Sequence, residues 1–190
     1  MAKLSAEDIR SFSYLSDIGG TDKPFSIPLI YRFLIRFLSP LVRFFFNINY
    51  SGLERIPSKG AMIITSNHVS NLDPIFKILA ARRHVFYLAK EDHFQKQPNK
   101  FIMSSNGMIE TIRSEGGKDA LSRAHDVLNS GLALGIFPEG TRSRKLKPPF
   151  LQDGKTGVAR LAASFPDIPV IPICIIAVSY THLTLPTMIR

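Results

Sequence analysis

Residues 61–80 read AMIITSNHVSNLDPIFKILA, and the change of character along this stretch decides the fold. Ala61–Thr65 is a short apolar run of strand type, and Ser66–Leu72 is polar and turn-prone. Pro74 disfavours helical geometry at Asp73 and suits a first helical position itself. Asp73 is therefore expected to cap a helix over 74–82. Working outward, the same alternation continues. Strands are expected near 48–52, 61–65, 84–89, 108–112, 132–137 and 170–176. Helices are expected at 5–13, over 25–47, and near 74–82, 97–105, 117–129 and 154–164, with Pro166 closing the last. Alternating strands and helices imply an α/β sandwich with a mixed, largely parallel sheet. Internal repeats and long low-complexity tracts are absent.

His68 lies in the polar loop between the first such strand and its helix. Within a continuous helix, His68 and Asp73 would point about 140° apart. A loop lets the chain turn back so that the carboxylate reaches the imidazole. An alcohol is a poor nucleophile at neutral pH, and imidazole is the side chain whose ordinary titration range suits removal of its proton. A carboxylate on the other ring nitrogen fixes the tautomer and stabilises the imidazolium that forms. No Ser or Cys nucleophile is needed if the substrate's own hydroxyl attacks. The competing reading is a surface-loop histidine beside a helix-capping aspartate.

A second stretch weighs against that reading. Leu132–Phe137 (LALGIF) has the character of a buried strand, and residues 137–144 (FPEGTRSR) form the turn after it. Gly140 permits close backbone approach, Thr141 and Ser143 offer hydroxyls, and Arg142 carries a planar fork that matches phosphate. Upstream, Gly107–Arg113 (GMIETIR) places Arg113 at the end of another short strand; alone it reads equally well as a solvated surface charge. Because the His68 loop and this turn both follow strands, both are expected at one edge of the sheet.

With these stretches in order, the chain resembles the glycerolipid acyltransferase family, whose best-known members are the lysophosphatidic acid acyltransferases. NHVSNLD resembles the family's His–Asp block, GMIETIR its second and FPEGTRS its third. Ile168–Pro172 (IPVIP) resembles the fourth, and Phe150–Ala163 the segment between the last two. The resemblance covers about residues 50–176, and the third block is the most specific. It implies direct transfer of a fatty acyl group from acyl-CoA or acyl carrier protein to a lysophospholipid, 1-acyl-glycerol-3-phosphate above all, or to glycerol phosphate. It further implies that His68 is the general base and Asp73 its partner. Arg113, Glu139, Gly140 and Arg142 match positions that the family uses for the acceptor, with Thr141 beside them. No cofactor is implied beyond the acyl thioester co-substrate. Two other classes stay open: a lipid-binding membrane module without turnover, and a hydrolase in which His68 activates water on the same thioester.

Composition sets the outer bounds. The 190 residues are 45% hydrophobic, enough for one domain with its own core, and carry a formal net charge of +9. That charge suits an anionic partner, and the absence of any nucleic-acid-binding module favours a phospholipid surface over nucleic acid. The single cysteine, Cys174, sits in an apolar run and is expected to be a buried, inert thiol. No metal site is expected, because the histidines lack ligand spacing. Gly116-Gly117-Lys118 lacks the rest of a phosphate loop and is expected to open a helix.

Phe25–Asn47 is rich in Phe, Leu and Ile but is interrupted by Arg32, Arg36 and Arg43. Three arginines near a bilayer centre would cost roughly 8–10 kcal/mol. On a helix they fall within about 40° of one another. A basic stripe opposite an aromatic face is expected, on helices lying in the headgroup plane and divided or kinked at Pro40. Core helices with snorkelling arginines are the alternative. The expected division is thus a membrane-associating segment over 1–47 and an acyltransferase domain over 48–177, associated with the cytoplasmic face of a membrane. No secretory signal pattern is read. Val178–Thr187 (VSYTHLTLPT) resembles a translated sequencing-library adapter. On that reading 178–190 is a foreign tail and the domain is cut short at its C-terminal end; the other reading is a C-terminal strand.

Overall fold

The computed structural model describes residues 18–45, 49–95, 97–111, 118–143 and 151–176. The expected helix at 5–13, Arg113 and the 178–190 tail lie outside the described residues. Helix α1 (Leu29–Phe45) precedes an alternating series: β1 (Met62–Ser66), α2 (Asp73–Ala81), β2 (Val85–Lys90), α3 (Asn99–Ser105), β3 (Met108–Thr111), α4 (Lys118–Asn129), β4 (Ala133–Ile136), α5 (Gly157–Ser164) and β5 (Val170–Ile173). The five strands form one sheet in the order β3-β2-β4-β1-β5. Every pairing is parallel, so the expected mixed character resolves to a wholly parallel sheet.

Apolar side chains cover both faces of this sheet, as parallel strands require. Met62, Ile64, Val85, Tyr87 and Ala133 face Ile78 and Ala81 of α2 and Tyr31 of α1. Ile63, Phe86 and Leu134 face the other way, against Ala124, Val127 and Leu128 of α4 and Leu161 of α5. Successive residues of a strand point to opposite faces, so one near-continuous apolar run supplies both layers. Burying each large side chain contributes about 1.5–3 kcal/mol. The result is a three-layer α/β/α sandwich.

Topology places the site. The crossover from β1 to β2 passes β4 with α2 on one face, whereas the crossover from β4 to β5 passes β1 in the opposite direction with α5 on the other. Chains therefore leave adjacent strands β1 and β4 in opposite directions at their carboxyl ends. Such a switch point opens a crevice in open α/β sheets.

Several expectations are corrected. No strand forms at 48–52 within the described residues. Gly52 has φ 78° and leads into a 3₁₀ turn at Leu53–Arg55, so the chain bends where extension was expected. Asp73 begins α2 without capping it, because its carboxylate faces the preceding loop instead of its own helix amides. Cys174 is exposed: it follows edge strand β5, where Ile171 and Ile173 pack against the core while Val170 and Pro172 do not.

Within the region expected to be helical, Leu29–Phe45 forms one helix that continues through Pro40. At 100° per residue it has three sectors. Tyr31 and Ile35 face the core, and the Tyr31 hydroxyl donates to the Val85 carbonyl at 2.8 Å. About 100° further round lie Arg32, Arg36 and Arg43, and another 100° on lie Phe33, Phe37 and Phe44, all three exposed. The arginines flank the aromatic face, because the core occupies a sector of its own. No helix among the described residues is long and apolar enough to cross a membrane.

Candidate active site

The carboxyl end of β1 delivers Asn67 and His68 directly into the crevice, and α2 brings Asp73 back beneath them. His68 Nδ1 lies 2.8 Å from Asp73 Oδ2. The same oxygen accepts the backbone N–H groups of Val69 at 2.7 Å and Ser70 at 2.9 Å. Asp73 is 1% exposed. Burial pushes its carboxyl upward, but the bonds from His68, Ser70 and Val69, with the charge of Lys77, outweigh burial and hold it below the ordinary value. An ionised Asp73 can only accept here, so Nδ1 carries the proton and Nε2 is the basic nitrogen. The loop needed for a base and its partner is present.

The turn after β4 fastens that loop. Glu139 Oε1 accepts the His68 backbone N–H at 3.1 Å, and the His68 carbonyl accepts the Ser143 N–H at 2.8 Å. Both backbone groups of His68 are thus held by the second stretch. Glu139 is 6% exposed, and its Oε2 accepts the Gln152 N–H at 3.0 Å. Gln152 in turn donates from its side chain to the Arg142 carbonyl at 2.9 Å. Of the residues expected at the acceptor, Gly140, Thr141 and Arg142 lie on this turn next to His68. Glu139 is brought there too, with both carboxylate oxygens engaged by backbone amides. Gly140 has φ 64°, and a Cβ there would meet the Lys155 side chain at 3.0–3.3 Å, so glycine allows Lys155 to cross the turn. Arg32 and Arg36 are exposed on α1, while the Arg43 guanidinium donates to the Leu79 carbonyl of α2.

Other residues of the site were not singled out from the sequence. Phe137 stacks on the His68 ring, with centroids 3.9 Å apart and planes 18° apart. Tyr87 lies 5.5 Å from Phe137, and a Cβ on Gly135 would meet the Tyr87 ring at 2.1 Å; the buried tyrosine exists because β4 carries glycine there. Asn67 exchanges two bonds of 2.8 Å with the backbone of Ile175, tying the end of β1 to the segment after β5. Lys77 is 1% exposed, donates to the Asn67 carbonyl at 3.2 Å, and sits 3.8 Å from the Phe137 ring centroid. Burial pulls the Lys77 ammonium down to about 7, against the opposing charges of Asp73 and Glu139. Burial first, then Tyr31 and Asp73, push the Tyr87 phenol well above its ordinary value. Phe137 abuts the motif and carries a weak signal as an aromatic at a strand end; Lys77 carries none, because an apolar helix with one lysine ordinarily turns it to water.

Exposed apolar side chains of the His68 loop and α2, namely Val69, Leu72 and Ile75, border the dyad. The arrangement combines a held imidazole, a turn that carries a guanidinium, and an apolar margin. A hydroxyl compound bearing both an anionic group and a hydrocarbon chain matches all three.

Known proteins share this arrangement of sequence. Residues 47–176 match the model of the Acyltransferase family. The chain is 33% identical over 124 residues to the chloroplastic 1-acyl-sn-glycerol-3-phosphate acyltransferase LPAT1 of Arabidopsis thaliana, covering 60% of this chain and 35% of that protein. It is 33% identical over 98 residues to a 1-acyl-sn-glycerol-3-phosphate acyltransferase of Borreliella burgdorferi, covering 50% and 38%. These matches span little more than a third of either relative. Among solved structures, the 1-acyl-sn-glycerophosphate acyltransferase PlsC of Thermotoga maritima superposes with a TM-score of 0.55 at 22% identity, over 74% of this chain and 56% of that one, which shows a shared fold. Since the family model covers both the His68 loop and the turn that holds it, the chain belongs to the Acyltransferase family.

Proposed function

We propose that the protein transfers a fatty acyl group from acyl-CoA or acyl carrier protein to the free hydroxyl of a phosphate-bearing lysophospholipid, 1-acyl-glycerol-3-phosphate above all. The observation that carries this reading is the joining of the two stretches: the turn bearing Arg142 holds both backbone groups of His68. The loop that carries His68 and the turn that carries Arg142 are thereby held side by side, which suits direct attack by a phosphate-bearing alcohol.

His68 Nε2 takes the proton of the acceptor hydroxyl as its oxygen attacks the thioester carbonyl. The carbon–oxygen bond forms, the tetrahedral intermediate collapses, and the carbon–sulfur bond breaks. The imidazolium then returns its proton to the departing thiolate, leaving ester and free thiol. Asp73, through Nδ1, holds the ring and stabilises the imidazolium meanwhile. Arg142 binds the acceptor phosphate with Gly140 and Thr141 beside it, and Arg113 is proposed as a further cation for the same group. The reaction written this way uses the thioester as co-substrate and no separate cofactor.

The exposed Phe33, Phe37 and Phe44 on α1, flanked by Arg32 and Arg36, suit an anionic membrane surface at headgroup depth. We place the protein on the cytoplasmic face, where the acyl thioester donors are available. The test supplies acyl-CoA with and without 1-acyl-glycerol-3-phosphate and follows thiol release together with acylated lipid. Acceptor-dependent release with matching diacyl product is the expected result. Release independent of acceptor makes the protein a hydrolase, and binding of lipid without release makes it a lipid-binding module.

A further inference from the structure

Two carboxylates grip His68, and both are buried: Asp73 bonds the ring and Glu139 bonds the backbone amide. Two buried negative charges near one imidazole are costly without a compensating cation. Lys77 is the buried cation beside them. It lies four residues after Asp73, hence on the same face of α2. Its ammonium reaches the Asn67 carbonyl, immediately before His68, at 3.2 Å and lies 3.8 Å from the centroid of the ring on which His68 stacks. Asp73 Oδ1 is buried with no hydrogen-bond donor among the described residues, so compensation of that oxygen's charge acts through space.

We propose that Lys77 is a positioning residue, the shared counter-charge of Asp73 and Glu139 that keeps His68 seated between them. It bonds the Asn67 carbonyl in the loop after β1, lies over the Phe137 ring at the end of β4, and feels the charges of Asp73 on its own helix and Glu139 on the turn after β4. His68 stacks on that same Phe137 ring, and Tyr87 of β2 lies 5.5 Å from it. Further along α2, Arg43 bonds the Leu79 carbonyl and Tyr50 the Phe76 carbonyl. The charge of Lys77 favours the ionised form of Asp73, and the two carboxylates favour the protonated form of Lys77. Asp73 and Lys77 therefore titrate as a coupled pair.

The kinetic arm of the test rests on the acyl-transfer reading; the spectroscopic arm does not. Lys77→Met in the full chain is expected to lower kcat at least about tenfold with the donor KM within about twofold. The acid limb of its pH profile should move to higher pH, because removing a positive charge lets neighbouring groups keep their protons longer. Lys77→Arg should recover part of kcat. A Lys77→Met enzyme with wild-type kcat and an unmoved profile overturns the proposal. Folding failure of these variants leaves the wild-type protein as the decisive sample. There the His68 ring resonances, followed by NMR from about pH 5 to about 10, should show a second inflection at the pH where the Lys77 Cε resonance itself titrates. A single-step His68 titration overturns the proposal. If the wild type transfers no acyl group to any acceptor, the functional reading fails while this titration still decides the role of Lys77.

Discussion

Glu139 Oε1 accepts the backbone N–H of His68 across 71 residues of sequence. The bond runs between the carboxyl ends of neighbouring strands β1 and β4, so the acidic residue of the turn after β4 also fastens the His68 loop. Glu139→Ala would leave the His68 and Gln152 amides without their acceptor, costing about 1–3 kcal/mol for each that stays buried. Glu139→Gln retains one carbonyl oxygen and sets an NH₂ group against the second amide. We expect the alanine variant to lose stability in urea unfolding, and the glutamine variant to keep more of it yet lose roughly tenfold in kcat through a displaced His68. Wild-type kcat in both variants would show that the loop holds its geometry without Glu139.

His68→Ala should reduce acyl transfer on the order of 10²–10⁴-fold, with an unchanged circular dichroism spectrum because the backbone bonds that seat the loop do not involve the ring. Asp73→Asn should be impaired as well, since an amide can present its NH₂ to Nδ1 and favour the wrong tautomer. Steady-state assays with acyl-CoA and 1-acyl-glycerol-3-phosphate check both. A His68 variant with near-normal turnover removes the general-base mechanism.

How much of this was legible beforehand depended on range along the chain. The strands at β1 and β4 and the His68–Asp73 contact are local, written in apolar runs, a proline and a five-residue reach. Their joining is not local. Whether Glu139 meets His68 depends on β4 lying beside β1, which the crossovers decide and spacing does not express. Cys174 was misjudged for the same reason: an apolar run looks alike in a central strand and an edge strand, and only the sheet order exposes it. The 48–52 strand failed on a local feature, the left-handed Gly52, whose conformation competes with extension. Lys77 was invisible because its burial follows from Asp73 and Glu139 converging on it.

Arg142→Lys should raise the KM for the phosphate-bearing acceptor by about tenfold while moving the donor KM much less, because an ammonium cannot reproduce a bidentate fork. The comparison needs a second acceptor of the same chain length without phosphate. The substitution should scarcely affect that compound, and an equal loss on both would take phosphate recognition away from Arg142.

Asp73 also makes stability depend on pH. Its folded carboxyl lies below the ordinary value of 3.8, so the unfolded chain binds this proton more readily. The stabilisation is therefore fully present above the unfolded value and is lost as pH falls through the folded one. Urea midpoints measured downward from neutral pH should fall more steeply across the carboxylate range for the wild type than for Asp73→Asn. Parallel slopes would mean that His68, Val69 and Ser70 do not favour the ionised carboxylate.

The last prediction separates the three sectors of α1. Replacing Phe33, Phe37 and Phe44 with Ser removes exposed apolar area that makes no contribution to the core, so folding should stay within about 0.5 kcal/mol of wild type. Vesicle binding should nevertheless fall sharply, on neutral and anionic lipid alike. Arg32→Glu with Arg36→Glu should weaken binding only where the vesicles are anionic, and more at low salt than at high salt, because screening already blunts the attraction at high salt. Arg43 should behave differently from both. Its guanidinium bonds the Leu79 carbonyl, so Arg43→Ala should loosen α1 from α2 and lower the unfolding midpoint as well as binding. Cosedimentation on vesicles of graded anionic content, paired with urea unfolding of each variant, reads both effects. If all three sets reduce binding in proportion to lost stability, α1 is a packing helix and the membrane contact lies elsewhere.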